Sequence, residues 1–359
     1  MIASPIELVD HLKQVVHGLD ESQASGYVAE LGPLRIELRL HGAGDHADFF
    51  EVFPPVRPGA LSKQASRAQS VDFAIEVIDG ARCGVKRPGL KWRASDFGLK
   101  RIVPAWSNNK RTTYFLRSEC GLAVADWRAG HAYVWVPSIE AITARDRAAP
   151  FRWLLDGLAQ RHSLTTMHAA VIGEGGIGLL VVGESGRGKS TLALAAISAG
   201  MDYLADDYCL LDARPPYRAY RLFNTAKLRA DARVQSDWIA DSAHKLDSVN
   251  GGKQVFNLAR SAPGSLADRL EIRALILTEF TDEALPVLDT ASPNEAFRRA
   301  APSTIAQCEG SEAQVTAEIG HLVRQLPCFR IRMPRDSRLS IDRMRDLIHR
   351  LRKAPENVS

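Results

Sequence analysis

Along the first 145 residues, apolar and polar positions alternate with period two in several short runs. These are Leu34–Leu40, Phe73–Ile78, Thr112–Leu116, Leu122–Asp126 and His131–Val136. A half-buried strand requires this alternation. Arg128-Ala129-Gly130 supplies a turn between the last two runs, so an antiparallel sheet with an N-terminal helix is expected here. Beyond about residue 146 the period changes. Phe151–Arg161 is helical in pattern, Thr165–Ile172 reads as a strand, Gly173–Gly178 as a glycine-rich turn and Leu179–Val182 as a buried strand. Lys189–Ala199 reads as a helix stopped by Gly200, and Tyr203–Leu211 as a further strand. Ser292-Pro293-Asn294-Glu295 has the form of a capping box, and amphipathic helices over about 311–325 and 341–352 close the chain. The pattern predicts an α/β fold (α+β over the whole chain) in two domains: a β-rich one over 1–145 and a second over 146–359.

Composition narrows the class without changing this picture. With 45% hydrophobic and 25% charged residues in 359, the chain is an ordinary globular sequence. No run of 18 apolar residues is present, and the N-terminus lacks a signal-peptide pattern, so no membrane partner is expected. Five scattered cysteines without a C-x-x-C pair fit a reducing, cytoplasmic setting. Charge is unevenly placed. Between Arg82 and Arg111 nine Lys or Arg stand against one acid, Asp96, with Trp92 and Trp106 embedded among them. This segment is either a solvated basic face or a docking surface for an acidic peptide, with the tryptophans as anchors. No nucleic-acid motif accompanies the charge.

One motif carries chemistry. Gly183-Glu184-Ser185-Gly186-Arg187-Gly188-Lys189-Ser190 matches G-x-x-x-x-G-K-[ST], entered from an apolar strand and left through a helical run beginning at Thr191. Glycines let backbone N–H groups turn toward a phosphate, and the helix presents its positive end to the same anion. Lys189 is expected to reach the β- and γ-phosphates of ATP, and Ser190 to hold Mg²⁺. Asp206 and Asp207 follow inside an apolar run, where two adjacent carboxylates are costly to bury without a metal or hydrogen-bond partners. A regular strand would point them to opposite faces, so a bulge or strand end is expected if both serve one site.

The runs Met-His-Ala-Ala-Val-Ile (167–172), 183–191 and Leu-Ala-Asp-Asp (204–207) resemble the catalytic domain of the HPr serine kinase family. That resemblance implies a phosphate-loop kinase domain of the HPr kinase/phosphoenolpyruvate carboxykinase type. It implies Lys189 and Ser190 on nucleotide and Mg²⁺, Asp206 as base toward the acceptor hydroxyl, Asp207 near the metal and His168 beside the reacting centre. The family's L-E-I-R-G-L-G-I signature is replaced here by Leu-Arg-Ala-Asp-Ala-Arg-Val (228–234). The metal-supporting glutamate and the phosphorolysis tied to that signature are therefore not carried over. Lys227, Lys253 and Arg260 are candidates to neutralise transferring phosphate.

These features point to a divergent kinase acting on a serine, or similar hydroxyl, of a peptide or small protein. A ribosomally made peptide such as a lasso-peptide precursor, with an acidic leader or tail, belongs to that acceptor class. A small-molecule kinase using the same machinery, and a nucleotide-binding regulator without transfer, are the alternatives. Homo-oligomerisation is left open.

Overall fold

The computed structural model describes residues 1–42, 44, 47–55, 71–118, 120–229, 245–249, 253–334 and 336–353. The chain divides into two compact units, Met1–Leu154 and Leu155–Ser359.

The first unit is built on six strands: β1 (Ala24–Leu31), β2 (Leu34–His41), β3 (Phe73–Asp79), β4 (Arg111–Leu116), β5 (Gly121–Asp126) and β6 (His131–Val136). Their order is β1-β2-β3-β6-β5-β4. The sheet is mixed, which corrects the antiparallel expectation: β3 lies parallel to both β2 and β6. The physical reason is connection length, since long crossovers precede and follow β3 while tight turns join the antiparallel neighbours. The helix Pro5–Gly18 starts under a Ser4 cap that accepts from the Glu7 N–H. It buries Leu8, Val9 and Leu12 against Leu122, Val124, Tyr133 and Trp135 of the sheet.

The embedded tryptophans belong to this unit's interior. Trp106 is buried, and Trp92 packs edge-on against Trp106, Phe97 and Phe115 with ring centroids 5.9, 5.2 and 5.5 Å away. They are not anchors offered to a partner. Lys86, Arg87 and Lys91 stay exposed, with the Arg87 guanidinium 5.5 Å over the Phe115 ring.

The second unit holds a larger mixed sheet. Its strands are β7 (Thr165–Met167), β8 (Ala170–Glu174), β9 (Ile177–Val182), β10 (Asp202–Ala205), β11 (Cys209–Asp212), β12 (Arg218–Arg221), β16 (Arg269–Phe280), β17 (Val287–Thr290) and β18 (Cys328–Met333). The main path runs β10-β8-β9-β16-β12-β11-β7, and β18 pairs with β16 and β17. Three further strands, β13 (Thr225–Arg229), β14 (Lys245–Val249) and β15 (Lys253–Asn257), form a small sheet in the order β13-β15-β14.

Alternation along the central strands builds two cores. Leu180, Val182, Leu275 and Leu277 pack with Ala296, Ala300, Ile319 and Leu322 of helices Pro293–Ile305 and Glu312–Gln325. Leu179, Val181, Ala274 and Ile276 face the opposite way, onto helices Lys189–Ser198 and Arg338–Lys353. Helices therefore cover both faces of the sheet, a mixed α/β architecture. No described helix is long and apolar enough to cross a membrane, and the five cysteines are free thiols.

Candidate active site

The site forms where a strand pair opens. Segments 165–174 and 202–212 run antiparallel, with Met167 opposite Cys209 and Val171 opposite Ala205. Beside the aspartates the register shifts by one residue between Tyr203 and Ala205, a bulge in β10. Between the Met167 and Val171 pairs, residues 168–170 and 206–208 do not pair with one another. The strands Thr165–Ile172 and Tyr203–Leu211 expected from the pattern are thus each interrupted, at His168-Ala169 and at Asp206-Asp207-Tyr208. The interruption answers the cost of two adjacent carboxylates in an apolar run, because it lets them leave the sheet's strict alternation.

The loop 183–188, which carries the phosphate-loop pattern, leaves the C-terminal end of β9 and enters the helix Lys189–Ser198. Residues Glu184, Ser185, Gly186 and Arg187 are exposed, with Glu184 and Arg187 ion-paired at 3.4 Å. Gly188 holds φ +100°, a conformation that side-chain-bearing residues adopt only under strain, and a Cβ there would also press on Met333 Cε. Lys189 is buried, and its Nζ donates to the carbonyls of Gly183 (2.7 Å) and Glu184 (3.2 Å). Burial, the largest influence, pulls its pKa below the ordinary lysine value; Asp207 opposes this shift and Lys253 adds to it. Ser190 and Thr191 lie half-buried in the helix's first turn, where N–H groups have no partner inside the helix. The hydroxyl of Thr278 lies near the loop's start, 3.8 Å from where a Cβ on Gly183 would be. It is buried and has no hydrogen-bond partner among the described residues.

The two aspartates have different surroundings. Asp206 is 3% exposed. Its Oδ2 accepts from the Lys227 backbone N–H at 2.9 Å, and its Oδ1 lies 3.1 Å from the Tyr203 hydroxyl, which also reaches the Thr225 carbonyl. Burial and the neighbouring Asp207 push its pKa up to about 6. The Asp207 side chain is 24% exposed. Its Oδ1 meets His168 Nε2 at 2.8 Å and its Oδ2 accepts from Lys227 Nζ at 2.7 Å. Burial works against its charge, but Lys227 and His168 outweigh that and hold the carboxyl well below the usual range. Lys227 is raised in turn: Asp207 overcomes the cost of burying the ammonium. Tyr208 backs the group, its ring 5.7 Å from His168 and its hydroxyl bonded to Gln307.

Most residues singled out from the sequence therefore meet here. Lys189 lies within electrostatic reach of Asp207, Asp206 and Lys253. Asp206, the base implied by the resemblance, is buried, and Asp207 is the more exposed of the two carboxylates. Arg260 is exposed on the short helix Leu258–Ser261. Residues 230–234 of the segment that replaces the family signature lie outside the described residues. Tyr203 and Thr278 carry no sequence signal of their own. The Tyr203 contact was available only as a tyrosine three positions before Asp206.

No family model matches the chain. Two curated proteins named HPr kinase/phosphorylase, from the Eklund 17B and Alaska E43 strains of Clostridium botulinum, are each 35% identical to it over 74 residues. That stretch is 21% of this chain and 23% of each relative, so the chain spans under a quarter of their length. Among solved structures, the Hpr(Ser) kinase/phosphatase from Coxiella burnetii aligns over 52% of this chain and 97% of that chain. Its identity is 14% and its TM-score 0.30. Over the matched fifth of its length, the chain is similar to HPr kinase/phosphorylase, as a divergent relative.

Proposed function

We propose that the chain is an ATP- and Mg²⁺-dependent kinase that moves the γ-phosphoryl group to a serine, or similar hydroxyl, of a peptide or small protein. The precursor of a ribosomally synthesised, lasso-type peptide is one acceptor of that class. The observation that carries the reading is the meeting of a phosphate loop and a paired-aspartate opening in one sheet, with Lys189 in the field of both carboxylates. In the reaction a bond forms between the acceptor oxygen and the γ-phosphorus. The bond to the ADP oxygen breaks, and the hydroxyl proton passes to a carboxylate.

Lys189 would leave its two loop carbonyls for the β- and γ-phosphates, exchanging neutral acceptors for charged ones. The Ser190 hydroxyl would supply an oxygen donor of the kind Mg²⁺ takes, beside oxygens of the nucleotide, and Asp207 a second where it serves the metal. Bound there, the ion supplies positive charge to the phosphate oxygens. Among the described residues no group of three or more His, Cys, Asp or Glu could hold a metal alone. Exposure favours Asp207 as the carboxylate facing the acceptor, while Asp206 ties the turn to Tyr203 and to the Lys227 backbone. The alternative division, Asp206 as base and Asp207 on the metal, draws support from the Asp206 pKa of about 6, which suits proton transfer near neutrality.

Lys189→Ala tests the reading as a whole. Calorimetric titration should show ATP affinity lost by at least tenfold while circular dichroism stays that of the parent. Parent-like affinity and turnover in this variant would sink the phosphate-loop assignment.

A further inference from the structure

Sheet order fixes the direction in which a nucleotide can lie. β9 and β16 pair in parallel, and β8 runs antiparallel to both β9 and β10. The C-terminal ends of β10, β9 and β16 therefore share one edge, the edge at which open α/β sheets take ligands. Along it Asp206 follows β10, the phosphate loop follows β9 and Phe280 ends β16. The order β10-β8-β9-β16 puts the aspartates and Phe280 on opposite flanks of the loop. A nucleotide seated with its γ-phosphate toward the aspartates must lead its base toward Phe280.

Phe280 is suited to receive it. The residue is 46% exposed, one of six large apolar residues left open among the described residues. The ring also abuts the loop itself. A Cβ on Gly188 would stand 3.2 Å from Phe280 Cζ and 3.5 Å from Cε2, and Met333, its partner in register on β18, is fully buried. Phe280 is thus supported from behind and open in front. Thr278, two residues back and so on the same face of β16, carries the unpartnered buried hydroxyl near Gly183. That independent feature marks the same flank as one awaiting a polar ligand.

We propose that Phe280 is the platform on which the nucleobase stacks. The inference rests on the nucleotide reading above and adds the base to it. Every base has a π-face, so a stacking platform gives affinity without choosing between adenine and guanine.

The test compares ATP, GTP and inorganic tripolyphosphate by calorimetry on the full chain with Mg²⁺. Phe280→Ala should weaken ATP and GTP alike, by about tenfold, and leave tripolyphosphate unchanged, because only the base is lost. Phe280→Trp should restore both nucleotides. Parent-like ATP affinity in Phe280→Ala would overturn the platform and leave the nucleotide reading standing. An equal loss for tripolyphosphate would overturn it too, since the ring would then only prop the loop. A parent chain that binds neither ATP nor tripolyphosphate overturns the nucleotide reading itself, and the platform with it.

Discussion

Two neighbouring carboxylates sit one residue apart in the chain and on opposite sides of the ordinary carboxylate pKa. Asp206 is raised to about 6 by burial and by its neighbour's charge, while Asp207 is held low by Lys227 and His168. Lys227 sets this contrast, giving its backbone N–H to one aspartate and its ammonium to the other. The two asparagine variants should therefore fail differently. Asp206→Asn removes a buried charge while its amide oxygen still accepts from the Lys227 N–H and its NH₂ meets the Tyr203 hydroxyl, so it should cost little stability, read from urea unfolding. Asp207→Asn should cost about 3 kcal/mol, because it leaves the buried Lys227 ammonium without its counter-charge. If Asp207 faces the acceptor, its variant should lose about 10²–10⁴-fold in ADP release from ATP with a serine peptide present. Turnover lost with Asp206→Asn but kept with Asp207→Asn would return the base role to Asp206.

Strand positions were legible in the period-two pattern; their pairings were not. Phe73–Ile78 read as a strand, yet its buried run Phe73–Asp79 says nothing about direction, and only the crossovers on both sides make it parallel to its neighbours. The first strand, Ala24–Leu31, escaped notice because Gly26 and small residues blunt its alternation. In the candidate site the strand, glycine-rich loop and helix of 177–198 were legible from the spacing of their residues. The clamp from Lys227 was not, because twenty residues of chain separate it from Asp207. The central sheet of the first unit adds a feature no spacing announced. Glu76 on β3 is buried, 2.7 Å from His41 Nε2 on β2 and 3.9 Å from His131 Nε2 on β6. Burial raises its pKa, but the two imidazoles outweigh that and pull it to about 2. A carboxylate lowered in the folded state stabilises above its unfolded pKa and stops doing so as pH falls through the folded one. The window here runs from about 4.5 down to about 2. Glu76→Gln should then unfold about 5–10 °C earlier at pH 7 by calorimetry, corresponding to about 3 kcal/mol. The gap between variant and parent should narrow steadily as pH is lowered through that window. A gap independent of pH would show that shape, not charge, holds the three strands there.

Across the whole molecule the basic segment and the candidate site fall in different units. The basic segment belongs to the first unit, and the phosphate loop and aspartates belong to the second. With Trp92 and Trp106 committed to internal packing, any acidic peptide drawn to this segment meets exposed Lys86, Arg87 and Lys91 without aromatic anchors. Recognition by exposed charge alone is weak and salt-sensitive, since screening acts over about 8–10 Å at physiological ionic strength. Replacing all three by glutamate should weaken an acidic, fluorescently labelled peptide severalfold by anisotropy at low salt. The difference should vanish at high salt, with ATP affinity unchanged throughout. Equal peptide binding by parent and variant at low salt would reduce the segment to a solvated face.

The opened strand pair limits which lengths of chain this site can tolerate. Met167–Cys209 and Val171–Ala205 keep one common register across the opening. One residue added to or removed from 206–208 would have to be taken up at the Tyr203–Ala205 bulge of β10 or by slipping β11 one place. Such a slip would exchange the two faces of β11, carrying Cys209 and Leu211 out of the core they share with Leu180 and Leu275. The length of the opening is thus constrained by the core that β11 serves, quite apart from the chemistry of the residues that line it.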